Sequence, residues 1–91
     1  GDHMAPEFLY GEIIIVEPDC ALKDGAFVLA RHDEVWTFRQ LRRRGAGWVL
    51  HALNSARTDL HDQPLADLDA VRGVVIQKAV PGRRRLSKFY V

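Results

Sequence analysis

A mainly β fold built from hairpins, with little helix, is predicted for this chain of 91 residues, and three observations support it. Short β-branched runs, Ile13 to Val16 and Val71 to Ile76, are each set off by turn residues or glycine. Val35 to Leu41 follows a turn and reads as the second arm of a hairpin, its side chains alternating between two faces as in a strand. Helical periodicity nowhere persists beyond about two turns.

Each element follows in order. Gly11-Glu12 leads into Ile13-Ile14-Ile15-Val16, closed by Glu17-Pro18-Asp19, where proline fixes φ and the acids bond the backbone locally. This reads as a buried strand. Phe27 to Arg31 follows the turn signal Asp24-Gly25, and Arg31-His32-Asp33-Glu34 turns the chain into Val35 to Leu41, so the two runs form a hairpin. Side chains alternate across a strand, which puts Trp36, Phe38 and Gln40 on one face and Val35, Thr37, Arg39 and Leu41 on the other. Arg39 thereby shares a face with apolar neighbours.

Arg42-Arg43-Arg44-Gly45-Ala46-Gly47 reads as a solvated connection to the next strand, Trp48 to Ala52, with glycines that can supply positive φ. Asp62 to Leu68 is expected to hold a single helical turn at most, and Val71 to Ile76 closes the pattern. Past Gln77, Pro81-Gly82 breaks the last strand and introduces a basic segment, Arg83 to Val91, read as a solvated tail or an added edge strand. Residues 1–78 are therefore expected to form one small domain, with 79–91 a basic C-terminal segment.

Composition narrows the function classes. A 47% hydrophobic content suits a single globular core. The formal net charge of +1 provides no overall field toward DNA or an anionic membrane. Cys20 is the one cysteine, so an internal disulfide and a multi-cysteine zinc site are both excluded, and a reducing cytoplasm is expected. The longest apolar run falls far short of the ~20 residues that span a bilayer, and no signal-peptide pattern precedes it, so a soluble protein without membrane contact is expected.

The opening, Gly1-Asp2-His3-Met4-Ala5-Pro6 followed by Gly11-Glu12-Ile13-Ile14-Ile15-Val16, resembles the block around the nucleophile of the LexA, UmuD and phage-repressor family of self-cleaving proteins, with His3 at the serine position. Further blocks follow in the family's order: Lys23-Asp24-Gly25-Ala26-Phe27-Val28-Leu29-Ala30-Arg31, then Glu34-Val35-Trp36-Thr37-Phe38-Arg39-Gln40-Leu41, then Trp48 to the Asn54-Ser55 corner, then Val71-Arg72-Gly73-Val74-Val75-Ile76. Each is a weak pattern alone; their order and spacing together make coincidence unconvincing. The resemblance implies the LexA and signal-peptidase type of compact β fold and a serine-lysine dyad, in which a neutral lysine takes the proton from a serine that attacks a peptide carbonyl.

At the lysine position of that pattern stands Arg39. A guanidinium is effectively never neutral in a protein and cannot act as the general base. His3 has no hydroxyl, and an acyl-imidazole adduct would be unstable. No intact catalytic residue is therefore expected, and the family's two dyad positions are His3 and Arg39. Gly1 to His3 also match what a cleaved purification tag leaves, in which case Arg39 alone bears on activity. The remaining serines, Ser55 and Ser87, read as turn residues. Ala46-Gly47 is chemically the bond that the family cuts in itself, but it falls in a hairpin turn here.

His3, His32, His51 and His61 lack the spacing of metal ligands, so neither a metal nor another cofactor is expected. The arginines at 42–44 and 83–85, with Lys88, keep a nucleic-acid-binding module open as an alternative, though no helix-turn-helix fits within the chain. The resemblance implies the C-terminal domain of a LexA-like or phage-type transcriptional repressor, a homodimer or larger assembly that reaches operator DNA through a helix-turn-helix domain preceding residue 1, with the peptidase lost. An active self-cleaving peptidase of the SOS-response type is the alternative from the enzyme class.

Overall fold

Two tight turns set the register of the central strands. At Asp33 and Glu34 φ is 50° and 66°, the paired positive values of a type I′ turn, which joins β2 (Phe27–His32) to β3 (Val35–Arg44). Gly45, at φ 59°, starts the turn from β3 into β4 (Gly47–His51). A Cβ at Gly45 would meet nothing within 4 Å, so glycine is needed there for its backbone conformation.

The computed structural model describes residues 2–91. With β1 (Ile13–Glu17), β5 (Gln63–Leu65), β6 (Val71–Ala79) and β7 (Lys88–Phe89), these strands make one antiparallel seven-stranded sheet in the order β1-β6-β2-β3-β4-β5, with β7 also paired to β6. The mainly β expectation holds. Helix among the described residues amounts to one 3-10 turn, Arg84–Leu86.

The sheet carries an apolar cluster on each face. Val28, Ala30, Leu41, Leu50 and Val74 pack on one side, beneath Cys20, Leu22 and Leu68 from the connecting loops. Val75, the next residue along β6, points the opposite way and packs with Met4 and Phe8. Phe8 lies edge-on to Phe27 and Phe38, with ring centroids 4.9 and 4.7 Å away, and Tyr90 closes the group at 5.2 Å.

Three expectations are corrected. β1 is not a buried strand but the outer strand of the sheet, with Ile13 and Ile15 exposed and Ile14 and Val16 facing the second cluster. Asp62 to Leu68 holds no helical turn; β5 lies within it and extends the sheet past β4, pairing Trp48 with Leu65 and Leu50 with Gln63. Leu65 gains contact with the first cluster, and Pro64, lacking an N–H, is tolerated because β5 is an edge. Arg42 to Arg44 are not a turn but the end of β3, opposite Val49, Trp48 and Gly47. Burial of Val49 and Leu50 across the ladder outweighs the local signal of three arginines, whose heads are each engaged: Arg42 with Gln40 at 2.8 Å, Arg43 over the Trp48 ring at 4.8 Å, and Arg44 with Asp62.

Candidate functional site

Residues 2–12 cross the sheet as a series of turns, and what fixes them is spread along the chain. Phe8 N–H donates to the Met4 carbonyl at 3.0 Å, which folds the segment so that Met4 and Phe8 both sink into the second cluster. Asn54 then clasps the start of the segment: its backbone N–H donates to the His3 carbonyl at 3.0 Å, and its side-chain amide donates to the Asp2 carbonyl at 2.9 Å. Arg57 ion-pairs with Asp2 and, at 2.8 Å, with Asp59, whose carboxyl it holds down to about 2. His3 is thus positioned by the corner after β4, which the sequence marks only as a strand end.

Lys78 performs the equivalent task further along. Although nearly buried, its ammonium donates to the Glu7 carbonyl, lies 3.5 Å from the Glu12 carboxylate, and sits 5.5 Å from the centre of the Phe8 ring. Glu12 also accepts the Leu9 N–H at 2.8 Å. Lys88 of β7 meets the Glu7 carboxylate at 2.6 Å. Burial alone would raise the Glu7 pKa, but the hydrogen bond from Lys88 and the neighbouring Tyr90 and Lys78 outweigh it and bring it below the usual carboxylate value. The Tyr90 hydroxyl is buried and falls short of an ordinary hydrogen bond to Glu7; desolvation pushes its ionisation well above the usual phenol range.

Between this segment and β3 lies an open cleft of about 620 Å³. His3, Met4, Glu12 and Ile14 line it from one side and Val35 to Arg39 from the other. The register explains the shape. β4 pairs with β3 only from Gln40 to Arg44, so the first half of β3 is a free edge on that side. Leu41 exchanges backbone bonds with Gly25 and Ala26 on the β2 side, and neighbouring residues alternate, so the Trp36 and Phe38 amides face the free edge.

Arg39 is half-buried against this edge, and its guanidinium donates back to the Phe38 carbonyl at 2.8 Å. Burial lowers its pKa, with no acidic neighbour opposing the shift. Starting above 12, it nevertheless stays protonated. His3 and Arg39, the two positions that the resemblance singled out, therefore line the same cleft, and neither side chain is a hydroxyl or a neutral amine.

The other candidates lie elsewhere. Lys23 and Cys20 line a separate depression of about 420 Å³, and Ser55 is exposed. Ser87 accepts the Val80 N–H at 3.3 Å, a turn role. His32 lies 3.5 Å from Asp33, and Nδ1 of His51 meets the Asp62 carboxylate at 2.7 Å. His61 is exposed. Among the described residues no three His, Cys, Asp or Glu side chains gather as metal ligands, and no helix is long and apolar enough to cross a membrane. Sequence reading missed Asn54 as a clasp, together with Glu7, Lys78 and Tyr90, because each acts through a partner more than 50 residues away.

A comparison with curated proteins finds no match. A family model described as Peptidase S24-like matches residues 1–76, which takes in both walls of the cleft and the strands behind them. With that match over most of its length and the LexA-like blocks in order, this chain belongs to the Peptidase S24-like family.

Proposed function

We propose that this domain is the self-association module of a LexA-like or phage-type repressor and that it no longer cleaves itself. The observation that carries the reading is Arg39, a permanent cation bonded to the Phe38 carbonyl in the cleft where a neutral amine would be required. Self-association draws support from the far edge of the sheet. β1 has a free edge, and Ile13, Ile15 and Phe89 are 55%, 40% and 70% exposed. Ile15 and Phe89 both lie opposite Gln77, so they share one face. A module of this kind would hold DNA-binding heads together and raise the effective concentration of the second head at its half-site. The nucleic-acid alternative is weakened because the arginines of β3 are already engaged with Gln40, Trp48 and Asp62.

Sedimentation of the domain should show a dimer or larger species at micromolar concentration; a monomer at high micromolar concentration contradicts the reading. In the full-length protein held at alkaline pH, the unaltered sequence and its His3→Ser variant should both remain whole, whereas His3→Ser combined with Arg39→Lys should recover some cleavage. Specific fragments from the unaltered full-length protein, lost on mutation of the residue before Met4, would sink the loss of activity.

A further inference from the structure

The cleft beside β3 holds one unusual electrostatic feature. Arg39 is half-buried, and among the described residues no carboxylate lies within ion-pair distance of it. Of its five N–H donors, one is committed, to the Phe38 carbonyl at 2.8 Å. Glu12, an acid that lines the cleft, is already engaged by Lys78 and by the Leu9 N–H, and its side chain is only 11% exposed. Around this cation the walls are apolar and open to solvent: Leu9 is 55% exposed, Val35 61% and Trp36 56%, with Ile14 and Phe38 behind them. A desolvated guanidinium with spare donors, set among exposed apolar side chains in a cleft of about 620 Å³, has the composition of a small-ligand site. His3, across the cleft, adds a second nitrogen donor.

We infer that this cleft binds an amphipathic carboxylate, the anion meeting the Arg39 guanidinium at the strand edge and the apolar body lying along Trp36 and Ile14. The planar fork of a guanidinium matches a carboxylate with two parallel hydrogen bonds, and partial burial strengthens that pair relative to water. The proposal concerns occupancy of the cleft and is independent of the oligomeric state and of cleavage. Two sources of such a carboxylate share this chemistry: a small free acid, and the C-terminus of a peptide whose backbone would also pair with the free Trp36 amide.

The test titrates the unaltered chain with 3-phenylpropionate and with its neutral isostere 3-phenylpropanamide, by calorimetry and by the indole N–H resonance of Trp36. The acid should bind at least about tenfold more tightly than the amide and shift Trp36 but not Trp48. Arg39→Gln should abolish the preference and Arg39→Lys should retain part of it. Acetyl-Ala-Ala-Phe and its C-terminal amide form the second arm. A peptide acid that binds more tightly than 3-phenylpropionate upholds the site as a peptide-terminus receptor, and equal affinity upholds it as a receptor for small acids. The inference is overturned if acid and amide bind alike, if neither binds at about 10 mM, or if the preference survives in Arg39→Gln. Because the acid-amide comparison uses the unaltered chain, it decides the matter even where a variant folds poorly.

Discussion

Single residues show where local chemistry and tertiary demand meet. Gly73 belongs to the sequence block that signalled the family, but its physical reason is visible only in the sheet: a Cβ there would stand 2.4 Å from Cγ1 of Val16 and 3.5 Å from the Glu17 carbonyl. β1 can lie against β6 only because that atom is missing. The valine branch is stiff, so Gly73→Ala must push the strands apart, and a loss of about 1–3 kcal/mol is expected in urea unfolding. Asp62 makes a different kind of prediction. The hydrogen bond from His51, opposed by desolvation and assisted by Arg44, lowers its pKa from the ordinary 3.8. A carboxyl depressed by folding contributes stability that is complete above its unfolded pKa and disappears as pH falls through the lower folded one. Stability should therefore drop on acidification below about pH 4, and Asp62→Asn should reduce that drop while costing stability at neutral pH. An unchanged acid limb in Asp62→Asn would assign it to other carboxyls.

At the level of elements, strands whose apolar pattern is local were legible, and those made by distant partners were not. β1, β2, β4 and the start of β6 appear within a residue or two of where the turn signals place them. β3 overran its expected end because pairing with β4 outweighs the loop character of three arginines. β5 was missed because its three residues contain a proline, and what recruits them is the open side of β4. The cleft was legible as far as residue types at His3 and Arg39, whereas the clasp from Asn54 and the tether from Lys78 needed the fold. The β2–β3 turn offers a test on this scale. Asp33 and Glu34 both hold positive φ, which costs a non-glycine residue, glutamate more than aspartate. Giving the turn the asparagine-glycine pair that its conformation favours, by combining Asp33→Asn with Glu34→Gly, should stabilise the domain by about 1 kcal/mol, seen as a melting rise of roughly 4–8 °C. No rise would mean that tertiary contacts have already absorbed the turn's strain.

Across the whole molecule, residues from both extremes of the sequence meet in the second cluster, where Phe8 packs on Tyr90 and Glu7 pairs with Lys88. The segment beyond residue 76 lies outside the family match, yet β7 lies against β6 and Tyr90 contributes to the aromatic group behind the cleft. Local patterning allows an added strand there but not its partner, since the link from Tyr90 to Phe8 spans most of the chain.

The guanidinium bond to the Phe38 carbonyl has one more outcome. An unpaired strand rim that displays Val35 and Trp36 is sticky, because its bare amides and carbonyls template the addition of foreign chains. By occupying one of those carbonyls with a charge that cannot be titrated away, Arg39 takes one acceptor out of that template, an effect that would persist whether or not any ligand ever enters beside it.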